Sequence, residues 1–270
     1  GGDYEKVSLI DMDLSIITIT WNSAAHIAEQ IRSVISACSG ITFEHIIVDN
    51  ASGDRTIEEV SKFQHVMLMR NKRNVGFAAA NNQAYKDATG EYILLLNPDM
   101  RLMPGSLDLF VEWMKAHPTV GIAGCRLVNE AGQINNSTTP RQFPKLFDQL
   151  AIFLKLPHLF PHILDRYLMR GADWTKEQAV DTAQGSCMLI RRELLQKLGR
   201  IFDERYFIWF EDVDLCREAK RLGYSVMYTL IISCVDYGAQ SFWQRNVVWK
   251  QWQFFRSAVK YFWKWGIKNS

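Results

Sequence analysis

The stretch Tyr92-Ile93-Leu94-Leu95-Leu96-Asn97-Pro98-Asp99 constrains the fold of this chain more than any other. Its apolar residues run without alternation, which suits a strand buried on both faces, and so a sheet covered by helices on both sides. Pro98 has no N–H for a central ladder, so the strand stops there. At the stop stand the Asn97 amide and the Asp99 carboxylate. Ligands of open α/β sheets bind just beyond the carboxyl ends of the strands. A carboxylate there is placed to hold a hard cation such as Mg²⁺ or Mn²⁺. The plainer reading, a turn whose Asp caps the next helix, fits the same residues.

The segments before it repeat one pattern. Residues 14–20 read as a buried, Ile-rich strand, ended by Trp21-Asn22-Ser23, with Ser23 a candidate helix N-cap. Residues 24–38 carry Ile27, Ile31, Val34 and Ile35 at helical spacing. A second strand, 45–48, runs into the polar turn Asp49-Asn50-Ala51-Ser52-Gly53-Asp54, and a third covers 66–69. A loop at 71–76 leads to a helix over 77–88 that carries Asn81 and Asn82. This β-α-β-α-β-α-β order predicts a parallel, doubly wound sheet.

Beyond residue 100 the pattern predicts a helix over 104–116 and a strand over 120–128. An irregular, proline-punctuated insertion follows over 135–175, with a candidate helix at 146–156. A strand over 180–190 surrounds Gln184-Gly185-Ser186, and a short helix over 191–198 ends at Gly199. Glu211-Asp212 precedes a helix over 214–222, and a strand covers 224–232. The expected organisation is one α/β domain over residues 1–241. The first half, about 13–100, looks nucleotide-binding, the second covers about 101–241, and a helical extension covers 242–270.

Composition narrows the class. An apolar content of 48% and a charged content of 22% are ordinary for a globular protein. No apolar run reaches the ~18 residues of a membrane span. With no signal-peptide pattern, a cytosolic location is expected, peripheral at the inner face of a membrane if the tail binds lipid. Five cysteines without a C-x-x-C pair point to reduced thiols rather than zinc. The net charge of +2 is split unevenly: residues 242–270 hold six basic and no acidic residues, so the remainder is mildly acidic. That is not a nucleic-acid footprint. The chain has no G-x-G-x-x-G, P-loop, G-x-S-x-G or H-E-x-x-H motif. His158 and His162, spaced four apart around Pro161, read as loop residues, and the sequons at Asn50, Asn135 and Asn136 carry little weight.

Acids fall at three strand-end positions: Asp49, Asp99 and the pair Glu211-Asp212. A metal-assisted group transfer needs one carboxylate for the cation and another to take the proton of the attacking hydroxyl. Asp99 suits the first task and Asp212 the second, and Asp49 could accept hydrogen bonds from a base or ribose. Glu211 and Asp212 fit equally well as helix N-terminal charge that complements the macrodipole.

Taken together, the motifs resemble glycosyltransferase family 2 with the GT-A fold. They are Thr20-Trp21-Asn22-Ser23, Ile47-Val48-Asp49-Asn50-Ala51-Ser52-Gly53-Asp54, Asn74-Val75-Gly76-Phe77-Ala78-Ala79-Ala80-Asn81-Asn82 and Leu95-Leu96-Asn97-Pro98-Asp99, followed by Gly185-Ser186-Cys187-Met188 and Phe210-Glu211-Asp212-Val213-Asp214-Leu215. The N-P-D form is most similar to the rhamnosyltransferase-like branch that builds bacterial surface polysaccharide. The resemblance implies inverting sugar transfer from a nucleotide diphosphate sugar, dTDP-rhamnose by preference, to a glycan or lipid-linked acceptor. It puts Asn22, Asp49 and Asn50 at the nucleotide, and Asn74, Gly76 and Asn81 near the diphosphate or sugar. Asp99 would bind Mg²⁺ or Mn²⁺, with Asn97 in place of the usual first acid. Asp212, beside Glu211, matches the catalytic base, and Gly185 borders sugar and acceptor, which makes about 101–241 the acceptor-binding half. Asp236 stands where the family usually has His, and could serve as an oxygen ligand to the metal.

In the tail, Val248, Trp252, Phe255, Val259 and Phe262 share one helical face, expected to pack on the body. Arg256, Lys260, Lys264 and Lys268 form a basic stripe beside it, with Trp243, Phe254, Tyr261 and Trp265 beyond the stripe. This second aromatic face resembles a helix lying at an anionic bilayer, or the interface of a homo-oligomer.

Overall fold

The computed structural model describes residues 12–134, 139–238 and 246–266. Asn135, Asn136, Trp243 and Lys268, singled out above, lie outside the described residues.

The centre is a twisted sheet in the order β3-β2-β1-β4-β8-β6-β9-β5, formed by β1 Leu14–Thr20, β2 Phe43–Asp49, β3 Val66–Arg70, β4 Tyr92–Leu96, β5 Met100–Leu102, β6 Val120–Val128, β8 Cys187–Arg191 and β9 Ser225–Asp236. The short β7 Gln178–Ala179 pairs with β9 off this path. Strands β3, β2, β1, β4, β6 and β9 point one way, and β8, β5 and β7 run against them. All residues of β1 and β4 are buried, as their unbroken apolar runs require. The pleat sends alternate residues to opposite faces. Ile17, Ile19, Ile93 and Leu95 pack with Ala80, Ala84, Leu194 and Leu215 on one side. Leu14, Ile16, Leu94 and Leu96 pack with Val34, Leu107, Phe110 and Met114 on the other. Each such side chain contributes about 1.5–3 kcal/mol by leaving water.

The helices covering the sheet are α1 Ile27–Ala37, α2 Thr56–Val60, α3 Phe77–Tyr85, α4 Ser106–Ala116, α6 Arg192–Leu198 and α7 Glu211–Arg221; α5 Leu146–Phe153 lies in the insertion. Several bounds differ from expectation. Ser23 does not cap α1: the helix begins at Ile27, and a turn intervenes in which the Ser23 carbonyl accepts from the N–H groups of His26 and Ile27. Ile31 and Val34 are buried but Ile35 is exposed, because the apolar stripe of α1 is narrower than its sequence spacing suggests. The strand expected over 180–190 begins only at Cys187, since 183–186 bend along a cavity. His158 and His162 are exposed, and His162 Nδ1 lies 2.8 Å from Asp165.

The tail forms α8 Val247–Trp265, with its faces opposite to expectation. Tyr261 is fully buried and packs with Tyr206 and Phe210, flanked by Phe254 and Trp265. Val248, Trp252, Phe255 and Val259 are exposed; only Phe262 of the expected inner face is buried. The inward face also carries the polar contacts of the helix, with Trp265 Nε1 donating to Asp214 at 2.7 Å and Ser257 Oγ to the Ile208 carbonyl at 2.9 Å. Lys264 reaches Asp214 at 2.7 Å, Glu218 at 2.8 Å and Asp203 at 3.8 Å. Lys264 and the neighbouring aromatics thus face the body together, Lys264 toward a carboxylate cluster on and beside α7.

Candidate active site

The carboxyl ends of the parallel strands open into a cavity of about 390 Å³. Its wall on the β1–β2 side is a hydrogen-bonded lattice of loop residues. Asp49, the last residue of β2, is buried. Its carboxylate accepts from Thr20 Oγ1 at 3.1 Å, from Ser52 Oγ at 2.5 Å and from the Ser52 N–H at 3.0 Å. Asn22, in the left-handed region at φ +51°, ties the same turn by accepting the Gly53 N–H at 2.8 Å. Asn50 Nδ2 donates to the Gly76 carbonyl at 3.2 Å, while its Oδ1 accepts the Val75 N–H at 3.1 Å. Asn74 Oδ1 accepts the Gly76 N–H at 3.0 Å.

Gly76 has φ +94°, and a Cβ there would stand 2.8 Å from the Phe207 carbonyl oxygen. That oxygen accepts the N–H of Phe77 at the start of α3. Asn81 donates to the Phe77 carbonyl at 2.9 Å, and its own Oδ1 is buried without a partner among the described residues. Asn50 and Asn74 thus line the cavity directly, while Asn22, Asp49, Gly76 and Asn81 stand behind the lining and set its shape.

The far wall carries two pairs of acids. Past β4 the chain turns through Asn97 and Pro98, and β5 pairs antiparallel with the end of β9, setting Met100 opposite Asp236. The Tyr237 N–H donates to the Asp99 carbonyl at 3.1 Å. Asp99 and Asp236 are both buried, and both line the cavity with Asn97. Burial pushes the Asp236 carboxyl up, partly opposed by the bond it accepts from the Gly238 N–H at 2.7 Å. Two carboxylates and an amide are hard oxygen donors. Among the described residues no group of three or more His, Cys, Asp or Glu is arranged around one metal position. The set therefore fits an ion that takes its remaining oxygens from a diphosphate or water, as Mg²⁺ and Mn²⁺ do.

Glu211 and Asp212 do not end a strand; they open helix α7, where their charge also meets the positive end of the helix dipole. Two consecutive non-glycine residues in the left-handed region, Trp209 at φ +65° and Phe210 at φ +67°, swing the chain into that helix. Each such residue costs about 1–3 kcal/mol and persists only where packing over-determines it. Asp212 accepts the Val213 N–H at 2.8 Å and meets the Gly185 N–H at 3.4 Å. Burial raises its carboxyl, against these N–H groups and the charge of Arg141. Glu211 is raised well above the usual glutamate range by burial and by the charge of Asp212. Glu211 Oε2 and Ser186 Oγ are buried with no partner among the described residues.

The sequence reading missed the aromatic lining: Trp21, Phe77, Phe207, Trp209 and Trp249. Trp249 comes from α8 and meets Phe207 edge-to-face at 5.7 Å. The aromatic density at 207–210 was visible in the sequence, but its strained path and its encounter with the tail were not.

Residues 15–199 match the family described as Glycosyl transferase family 2. N-acetylglucosaminyl-diphospho-decaprenol L-rhamnosyltransferase of Mycobacterium tuberculosis is 25% identical over 242 residues, covering 84% of this chain and 77% of that protein. Rhamnosyltransferase WbbL of Escherichia coli is 26% identical over 203 residues, covering 68% of this chain and 70% of that protein. Among solved structures, the mannosyltransferase PcManGT of Pyrobaculum calidifontis, in complex with GDP-Man and Mn²⁺, superposes with a TM-score of 0.62 at 22% identity. That match covers 95% of this chain and 64% of the other, so this chain spans under two thirds of its length. The fold is that of the GT-A glycosyltransferases, and the chain belongs to glycosyltransferase family 2.

Proposed function

We propose that this chain transfers a sugar, with inversion at the anomeric carbon, from a nucleotide diphosphate sugar to a hydroxyl acceptor. The observation that carries the reading is one cavity holding two acid pairs in different surroundings: Asp99 with Asp236, and Glu211 with Asp212. Burial raises Asp236, Glu211 and Asp212 alike, so what separates the pairs is placement: the first lies beside the Asn97 amide and the second opens α7 beside the Gly185 turn, which suits one to holding a cation and the other to taking a proton. In this reading residues 1–241 form the transferase body and 242–270 an appended helix.

Asp212 takes the proton from the acceptor hydroxyl, and its raised carboxyl is a better base at neutral pH than an exposed aspartate. The acceptor oxygen forms a bond to the anomeric carbon from the side opposite the diphosphate, and the bond from that carbon to the diphosphate oxygen breaks. The nucleoside diphosphate leaves with the electron pair. Asp99 and Asp236, with Asn97 beside them, would hold Mg²⁺ or Mn²⁺, which when bound supplies positive charge against the departing diphosphate. Asn50 and Asn74 bound the nucleotide side, with Asn22, Asp49, Gly76 and Asn81 fixing their loops. The Gly185 turn and the unpartnered Ser186 Oγ face the sugar and acceptor.

The donor is dTDP-rhamnose and the acceptor a lipid-linked glycan of a surface polysaccharide; the names of two relatives support rhamnose as the sugar, and one of them names a diphospho-decaprenol acceptor. Calorimetry and nucleotide release with dTDP-rhamnose, UDP-glucose, UDP-N-acetylglucosamine and GDP-mannose, with and without Mn²⁺, test it. Metal-dependent binding of dTDP-rhamnose alone supports the full reading. Selection of another donor overturns the sugar assignment, and binding of none overturns the transferase reading in favour of an inactive variant.

A further inference from the structure

Helix α8 and helix α5 are far apart in sequence, yet together they wall an apolar groove of about 420 Å³. Its floor is Phe254, Ala258 and Phe262 from α8 and Gln149 from α5. The rims do not close over it. On α8, Trp252 is 56% exposed, Phe255 49% and Trp263 85%. On α5, Phe153 is 55% exposed and Leu150 49%, and both line the groove. Isolated exposed apolar residues are ordinary, but two elements presenting them on one continuous surface mark an interaction face.

Charge selects the occupant. Residues 145–163 and 246–266 contain one carboxylate between them, Asp148, which is buried and paired with Arg166 at 2.5 Å. The exposed cations of these two segments are Lys145, Lys155 and Arg256, with Lys250 half-buried, while Lys260 turns back to the Arg205 carbonyl. Exposed Trp and Phe beside a one-signed basic rim match the interface of an anionic bilayer. A self-complementary contact between two copies would oppose this positive rim to itself.

We propose that the α5–α8 face seats the protein on an anionic lipid bilayer, with the groove rims inserted at the headgroup–acyl boundary. The face is not the one expected from the sequence: the buried Tyr261 side holds the helix to the body, and the opposite side meets lipid. The same helix carries Trp249 into the active-site cavity, one residue before Lys250 and three before Trp252. Seating therefore puts the cavity mouth beside the membrane. The purpose of that placement rests on the lipid-linked acceptor proposed above, but the test does not involve turnover.

The full chain would be floated with vesicles of phosphatidylcholine alone and with added phosphatidylglycerol. Binding is expected only with phosphatidylglycerol, and about 0.5 M NaCl should weaken it severalfold. Leu150→Glu combined with Phe255→Glu should lower binding about tenfold or more. Because charged substitutions can disturb folding, Trp252→Phe with Trp263→Phe gives a conservative second arm. Tryptophan quenching by brominated phosphatidylglycerol should occur in the wild type and fall sharply in this double variant. No binding to either vesicle overturns the proposal. So does a stable dimer, by light scattering, that the Glu variants dissociate while vesicle binding is absent. Binding with quenching unchanged in the Phe variant overturns the assignment of the face.

Discussion

Met100 lies directly across an antiparallel ladder from Asp236. This pairing of a short strand after Asn97-Pro98-Asp99 with the far end of β9 brings Asp99 and Asp236 to one cavity. In the metal-holding role proposed above, the Asp236 carboxylate would supply anionic charge that the Asn97 amide lacks. If the two acids share a cation, Asp99→Asn should weaken Mn²⁺-dependent donor binding by about tenfold or more, the worth of one ligand. Titration with EDTA present should erase the difference between variant and wild type. Equal Mn²⁺ dependence in both would separate Asp99 from the metal.

Asp212 and Glu211 should respond differently to loss of charge. Asp212→Asn removes the proton acceptor, and turnover should fall by roughly 10²–10⁴-fold. Donor affinity by calorimetry should stay close to wild type. Burial and the charge of Asp212 raise the Glu211 carboxyl above the ordinary 4.5 in the folded state. An acid raised on folding costs stability as pH climbs from its unfolded value toward its folded one. Glu211→Gln removes that cost. Its Tm relative to wild type should therefore rise with pH above about 4.5, on the order of 2–4 °C per kcal/mol for a chain this size. A difference that is flat across pH would show that Glu211 is ionised in the native state.

Gly76 tests the loop lattice. Its φ of +94° and the 2.8 Å approach to the Phe207 carbonyl leave no place for a methyl group. Gly76→Ala should cost about 1–3 kcal/mol in urea unfolding, from backbone strain and displacement of the 207–209 wall. Because Asn50 and Asn74 both bond to Gly76, donor affinity should drop together with stability. A stability loss with donor binding intact would mean that the lattice does not shape the nucleotide side.

Lys264 anchors the tail. Its ammonium is mostly buried among Asp203, Asp214 and Glu218. Lys264→Met leaves three carboxylates facing one another, and about 3–5 kcal/mol of the docking should be lost. Hydrogen exchange should accelerate selectively over 247–265. The wild type should show the same release in acid. Burial alone would raise Asp203, but its bonds from Arg205 bring it down to about 2. Glu218 is likewise pulled below its usual value by Lys264 and Arg221 against burial. Groups lowered on folding stabilise the native state above their unfolded pKa and lose that contribution as pH falls through the folded one. Glu218 is the lowered group that Lys264 touches, so exchange over α8 should rise as pH falls below about 4.5, whereas Asp203, held down by Arg205, bears on the body. Asp214, raised by burial, has the opposite sign and softens the upper edge of that window. Unchanged exchange in the variant would show that the aromatic contacts of Tyr261 hold the helix unaided.

The sequence by itself determined the parallel half of the sheet, β1 to β4, and the position of its carboxyl edge. Unalternated runs such as 14–20 and 92–96 can be buried only on both faces, and Pro98 can stand only where a ladder ends, so Asp99 had to lie at the carboxyl edge. These are local constraints, written in one strand at a time. The pairing of Met100 with Asp236, the strained turn at Trp209 and Phe210, and the entry of Trp249 into the cavity depend on contacts between distant segments. The tail shows the limit most plainly. Both its faces are aromatic, so periodicity could not choose between them. The inward face is the one whose Lys264, Trp265, Tyr261 and Ser257 find partners on the body, Asp214 and Glu218 among them, and those partners are brought together only by the fold.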